Sequence, residues 1–438
     1  MKTTLLIITL NLLNQVSLKF EKKSDYDYSS YNSVSKDTDV SEKTTESTQA
    51  DQSAVYITSS INLSNAKIHK NSGDASKIEN SEFYGVNAAL LVQGGTLTMS
   101  GGEIITKAQG ANAVVATNEG VVGITGTTIT STGTRSARGL HATYGGNIVG
   151  TKVTISTEGG SCATLATDRG EGTVKCTECT LTTKGAGSPL IYSTGNIIIE
   201  KTEGTASGAQ SVVVEGKNLA HIKDNSNLKC TATPNREKID QCGVMLYQSM
   251  SGDAETGTSF FTCEDSSIEI LESSEYYKTA PMFFITNTKS TIQLTNCNFI
   301  LGSNIFMSIK GTSAWGKSGS NGGEVSLVLT NENIKGNFVI DNISTLTLKL
   351  VKSTIEGTIN VGNTAKNVYI ILDKDSKITL TGDSYCTTLT DDLTDGSNLV
   401  NGSYSWTIGD NGGNNNSGNG ISKANLIVLS LLLSILLL

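Results

Sequence analysis

Few side chains in this sequence stand at spacings that chemistry demands. The densest group is the turn TDRGEG, which sets Asp168, Arg169 and Glu171 within four residues. Glycoside hydrolysis takes two carboxylates flanking one bond, roughly 5–10 Å apart. Eliminative cleavage of an acidic sugar chain takes a base and acidic residues that hold calcium. Asp391, Asp392 and Asp395 form a second acidic turn. Either turn offers the oxygen ligands Ca²⁺ prefers, so calcium is the one cofactor left open, and the simpler reading of each is a solvated turn. His141, near Arg138 in ARGLHATYGG, reads as a surface contact for a ligand. Among the aromatic residues, Tyr144, Tyr192, Tyr247 and Trp315 are the rings on which a sugar could stack. Trp315 lies in the Gly/Ser-rich excursion GTSAWGKSGSNGG and is the ring expected to be most exposed. No nucleophile elbow, zinc-protease or P-loop motif occurs, and no catalytic residue is assigned.

The eight cysteines are an even number, as a disulfide framework requires. Cys230 and Cys242 flank an 11-residue excursion, TATPNREKIDQ, and are the expected staple for it. The CTEC run at 176–179 has no second ligand pair to complete a zinc site. Residues three apart on a strand also face opposite ways, which argues against joint use of Cys176 and Cys179.

Any such site must be positioned by a repeat. Short apolar runs begin at Asn87, Asn112, Ala137, Ser161, Ser188 and Ser211, spaced 25, 25, 24, 27 and 23 residues apart. The next two begin at Gly243 and Pro281, after longer intervals of 32 and 38. A second run with period-two alternation follows each, as in TLTMSGGEIIT from Thr96 and TIQLTNCNFI from Thr291. Near the C-terminus, VSLVLTNENIKGNFV, LTLKLVKSTIEGTIN and VYIILDKDSKITLTG align without gaps at 21 and 22 residues. Such a period, with two or three short strands per turn, predicts an all-β, right-handed parallel β-helix of about twelve turns. Stacked at about 4.8 Å per turn, it would form a rod on the order of 55–60 Å long. By repeat phase, Cys176 and Cys263 occupy positions that other turns fill with Met99, Ile124 or Leu294, and should point inward. Leucine-rich repeats share the period, but their L-x-x-L-x-L-x-x-N pattern is missing. A propeller would need longer blades.

Composition agrees. The 438 residues include 45 glycines and only three prolines, and 37% are apolar. Collagen, wholesale disorder and a large helical enzyme are excluded on that basis. A net charge of −8 with no basic stripe argues against nucleic-acid binding.

The flanks indicate location. Residues 1–20 read as a secretory signal, with Lys2 ahead of the apolar Leu5–Leu13. Residues 21–52 are Ser/Thr-rich, nearly devoid of aliphatic residues, and expected to be disordered. The repeat fills 53–405. The Gly/Asn-rich linker 406–423 precedes an apolar tail at 424–438. Small residues, a polar spacer and a terminal tail follow the order of a lipid-anchor (GPI) signal, with Asn415, Asn416 or Ser417 as suitable attachment sites. The tail is too short, at about 1.5 Å per residue, to cross a 30 Å core comfortably as a helix. Sequons at Asn62, Asn342 and Asn401 suit a glycoprotein. These features place the chain on the outer face of the plasma membrane, held by a lipid.

The segments SEFYGVNAALLVQGG, TDRGEGTVK, GAGSPLIYSTGNI, VVVEGKN, VMLYQSMSGDAETGTS and SGSNGGEVSLVLTN carry a family likeness. Through them the chain resembles secreted, adhesin-like right-handed β-helix proteins, pectate-lyase-like in architecture, of anaerobic gut bacteria and some protists. The resemblance spans about residues 53–405. It implies a surface protein that binds carbohydrate or mediates adhesion to host or neighbouring cells, and it brings no catalytic residues. The cysteines and the lipid-anchor tail depart from the bacterial pattern.

Three functions therefore compete. The first is a non-enzymatic adhesin or glycan-binding protein, with Trp315, Asp168, Arg169, Glu171 and His141 as its contact residues. The second is a polysaccharide lyase or glycoside hydrolase. It requires a groove in which carboxylates from adjacent turns meet each other or a basic group. The third is a structural coat antigen with no defined ligand.

Overall fold

The computed structural model describes residues 23–28, 33–36, 39–234, 240–393 and 396–409. The repeat coils into a parallel β-helix. Successive short strands visit three faces in rotation, and every strand pairing is parallel to the equivalent strand of the turn before and after. The three main sheets hold 12, 13 and 10 strands, close to the turn count expected from the spacing. Among the described residues there is one helix, Ile78–Tyr84, ended by Gly85 in the left-handed region at φ 75°.

The period-two alternation has a direct cause. In strand Thr96–Ser100 the pattern alternates exposed and buried, with Leu97 and Met99 inside. Register then stacks like positions along the axis. Met99, Ile124, Gly150, Cys176, Ile199 and Ile222 form one continuous inward file. The file runs on through Cys263, Leu294, Leu329, Leu350 and Leu372. Cys176 and Cys263 therefore point inward, as the phase predicts. Each fully buried Leu or Ile contributes about 1.5–3 kcal/mol, and the file supplies the core that no single turn could enclose.

Sharp corners between strands fall on residues with left-handed backbones. One corner column holds Lys152, Glu178, Lys201, Asn225, Asp265, Asn296, Asn331 and Lys352, all with φ between 47° and 61°. At several of these turns the following residue points back inside, and its hydroxyl caps an N–H of the preceding turn. The N–H groups of Thr202 and Ser226 donate to the hydroxyls of Ser226 and Ser266, each at 3.1 Å. Farther along, Glu332 and Ser353 donate to Ser353 and Ser376 at 3.0 and 3.1 Å. At another corner the glycines 133, 159 and 185 stack. A Cβ on Gly185 would run into the Gly159 carbonyl, and one on Gly159 into that of Gly133. This is one reason the composition is so rich in glycine.

Several expectations are corrected. The Ser/Thr-rich entry segment takes part in the coil. Ser33–Lys36 pairs with the strand from Ser53, and Thr44–Ser47 with Lys67–Lys70. A ladder is made of backbone groups and needs no aliphatic pattern, and Val40 and Ser47 are buried beside it. Tyr26 stacks on Tyr84 at 4.3 Å, and the Tyr28 hydroxyl donates to the Tyr84 carbonyl at 3.0 Å. At the other end Trp406–Ile408 pairs with Ser384–Cys386, so the coil passes residue 405. Cys230 and Cys242 are buried free thiols rather than a staple. Cys230 belongs to the inner core, whereas Cys242 packs in a cluster on the outer face. Cys176 and Cys179 form a disulfide with Cα atoms 6.0 Å apart. The left-handed Glu178 breaks the strand between them and turns both side chains inward. The signal, Asn415, Asn416, Ser417 and the apolar tail lie outside the described residues. Among the described residues, no helix is long and apolar enough to cross a membrane.

At Glu332 the capping column carries a buried carboxyl. Glu332, 3% exposed, replaces a hydroxyl and accepts the Cys297 N–H at 2.8 Å through Oε1, while Oε2 has no hydrogen-bond partner. Burial pushes its carboxyl up to about 7. The folded chain thus holds this proton more tightly than the unfolded one. The associated stability is complete below the ordinary carboxylate range and is lost as pH rises through about 7. Glu332→Gln keeps the acceptor and removes the charge. It should raise the unfolding free energy at pH 8 by up to about 3 kcal/mol and change it little at pH 4, as read from denaturant midpoints.

Candidate functional site

Outward-facing positions of the first sheet build a groove. In the strands Leu140–Ala142, Ile191–Ser193, Val212–Glu215 and Val244–Tyr247 the residues at the first and third places are buried inward, all apolar except Ser193. The residues between them, His141, Tyr192, Val213 and Met245, stand on the outside in register, with Ala166 between His141 and Tyr192. Glu215 and Tyr247 pair as the next outward column. Val213, Cys242, Met245, Tyr247 and Phe284 pack into an apolar floor against which Tyr192 and Trp315 rest.

The walls come from the insertions that lengthen the repeat. The helix Ile78–Tyr84 contributes Glu82 and Phe83. The excursion after Tyr247 contributes Ser249, Met250, Ser251 and Asp253, and the Gly/Ser-rich one contributes Trp315. Together they enclose about 470 Å³, within the size range of small-molecule sites. Asn321 secures the Trp315 excursion by donating to the Thr312 and Trp315 carbonyls at 2.6 and 2.7 Å. The Trp315 ring lies 4.4 Å from that of Tyr247, tilted by 42°.

Two polar centres line this groove. At the first, Arg138 Nη1 reaches Asp168 Oδ2 at 2.7 Å, and Nη2 lies 3.7 Å from Glu82 Oε1. Arg138 Nη1 also donates to His141 Nε2 at 2.9 Å. Arg138 has no acceptor, so this contact fixes the imidazole proton on Nδ1. Burial, reinforced by the Arg138 charge, holds the His141 pKa well below its ordinary value and keeps the ring neutral. Burial raises the Asp168 carboxyl to about 6 despite its Arg138 partner. Burial also opposes the Arg138 charge, but Asp168 and Glu82 more than offset it, and the guanidinium stays protonated.

At the second centre, Glu215 is 2% exposed. Its Oε2 accepts the phenols of Tyr192 and Tyr247 at 2.7 and 2.5 Å. Its Oε1 has no hydrogen-bond partner. Burial, with the Glu215 charge next, raises the Tyr192 phenol well above its ordinary value, so it remains a donor.

The structure divides the residues singled out from sequence. Asp168 and Trp315 line the groove, and Trp315 is half-buried on Tyr247 rather than fully exposed. His141 is completely buried beneath Arg138 and is not a surface contact. Arg169 is a strut: it pairs with Asp253 at 2.9 Å and lies 3.8 Å over the Phe83 ring, tying two walls together. Glu171 turns away and pairs with Lys217 at 3.2 Å. Tyr144 is buried and stacks on Tyr84 at 5.8 Å. Among the described residues, no three His, Cys, Asp or Glu side chains converge to hold a metal ion. Asp395 of the second acidic turn lies outside them, while Asp391 accepts from the Leu393 N–H and from Asn398. Of the sequons, Asn62 and Asn342 are exposed and Asn401 is half-buried.

Sequence reasoning missed Glu215 and Glu82. Glu215 ends VVVE, and its signal is a single acidic residue at an outward place among β-branched neighbours. Glu82 is carried by the helix, which interrupts the strand period and so escapes an alignment of strand runs.

No family model matches the chain, and neither do any curated proteins or solved structures. The groove itself is therefore the basis for function.

Removing Arg138 would leave Asp168 buried without its cation. Arg138→Ala should cost about 3–5 kcal/mol of unfolding free energy. The double variant Arg138→Met with Asp168→Leu should recover much of that loss. Denaturant midpoints of the two variants measure the difference.

Proposed function

We propose that this protein is a surface-displayed β-helical glycan-binding protein, of the adhesin-like kind its sequence resembles, and that the groove on its first sheet is the binding site. One observation carries the reading: the Trp315–Tyr247 ring pair stands beside a buried carboxylate that has an unused acceptor. Sugars present an apolar C–H face and a rim of hydroxyl groups, so an aromatic wall with a fixed acceptor matches both. The β-helix beneath is rigid, and the walls are held by Arg169 and Asn321, so little ordering cost accompanies binding. Display through a secretory signal and a lipid anchor, with sugars on Asn62 and Asn342, completes this reading. The partner is then carbohydrate on a host or neighbouring cell.

Glycoside hydrolysis is the second reading. It is favoured by the presence of two buried carboxylates, Asp168 and Glu215, in one groove, and by the Asp168 carboxyl being raised to about 6, near the range a general acid needs.

The test is a glycan-array screen of the full chain in detergent, followed by titration of the best ligand and an assay for new reducing ends. Trp315→Ala should weaken binding at least about tenfold, the scale of a lost ring contact, with no reducing ends released. Unchanged binding would remove the groove from consideration. Release of reducing ends that stops in Glu215→Gln would establish the hydrolase instead.

A further inference from the structure

We infer that the Glu215 centre recognises an organic ammonium group, so that the glycan this groove selects carries a free amine rather than a carboxylate. The inference rests on the groove being the glycan site.

The groove is lined by four carboxylates, Glu82, Asp168, Glu215 and Asp253, against the guanidiniums of Arg135 and Arg138. Three of the four are already answered. Glu82 and Asp168 share Arg138, and Asp253 holds Arg169. Among the described residues, no cation lies within ion-pairing distance of Glu215. It is nonetheless almost wholly removed from water, which is costly for an unpaired carboxylate. Two phenols satisfy one oxygen, and Oε1 is left over.

The surroundings of that oxygen suit a cation. Tyr192 and Tyr247 converge on the carboxylate, and Trp315 packs on Tyr247. Ring faces attract ammonium groups, more strongly when water is excluded. A protonated amine among these rings would supply the missing charge and donate to Oε1. A uronate would bring a fifth negative charge into the same space and meet like-charge repulsion. An N-acetylated sugar would keep the stacking but offer no charge.

The experiment uses calorimetry on the full chain in detergent at pH 6 with four probes: a fully deacetylated chitosan tetramer, its N-acetylated counterpart, a galacturonate tetramer and phosphocholine. The deacetylated tetramer should bind at least tenfold more tightly than the acetylated one, and the galacturonate should not bind. Glu215→Gln should erase the tenfold preference, so that the two tetramers bind alike at whatever affinity the variant retains. Should that variant fail to fold, as judged by its thermal midpoint, the preference of the parent chain should disappear at pH 9, where the amine is neutral, and a preference unchanged at that pH overturns the inference. Equal or tighter binding of the acetylated form, or a preference that survives Glu215→Gln, overturns this inference and leaves the glycan reading standing. If phosphocholine binds and no oligosaccharide does, the site takes a cation through charge and ring faces without an N–H to Oε1, and both the glycan reading and this inference fail. If no probe binds, the ammonium inference is overturned.

Discussion

The structure depends on the pairing of each turn's backbone with the turns beside it. A single turn of this chain can bury neither its inward side chains nor its strand edges. Once turns stack in parallel, strands inside each sheet find partners on both sides and like residues align in files along the axis. The file from Met99 to Leu372 is the plainest consequence. Corner geometry follows from the same requirement. A chain that must return to register every 21–38 residues needs tight bends, and left-handed Asn, Asp, Lys and glycine residues provide them. The hydroxyls that cap the preceding turn's N–H groups then satisfy donors that the bend would otherwise strand.

Such a scaffold leaves its outer face free to vary. Because the inward positions carry the stability, the outward positions of the first sheet can hold a tyrosine, a valine, a methionine and a carboxylate in adjacent turns. Insertions at the corners cost the coil little and rise beside that face as walls. The groove forms where lengthened turns coincide with polar outward residues. Its buried charges are tolerated because the Arg138 centre is nearly closed upon itself. The Glu215 centre is not, and that asymmetry is the strongest chemical feature of the surface.

Much of the fold was legible in the sequence, because period-two alternation inside a recurring spacing has few structural solutions. The inward direction of Cys176 and Cys263 followed from phase alone. What escaped has physical reasons. Ser33–Lys36 and Thr44–Ser47 carry a ladder with Val34 as their single aliphatic residue, so a hydrophobic pattern could not find them. The Cys176–Cys179 bond depends on a left-handed Glu178, which strand geometry does not anticipate. For the site, the Asp168 turn and Trp315 were visible as local groups. The partners of Asp168 were not, since Arg138 lies 30 residues away and meets it only through stacking. Glu215 was hidden because one acidic residue on a strand acquires meaning only when its neighbouring turns supply Tyr192 and Tyr247.

The most direct measurement is the fluorescence of one ring. The sequence contains two tryptophans, Trp315 and Trp406, and the second lies at the C-terminal end of the coil. A Trp406→Phe variant reports Trp315 alone. Titrated with an oligosaccharide whose binding is established by calorimetry, its emission should shift and quench with the same midpoint as the heat of binding. Binding heat with an unchanged Trp315 emission would place the ligand elsewhere on the molecule and contradict the account.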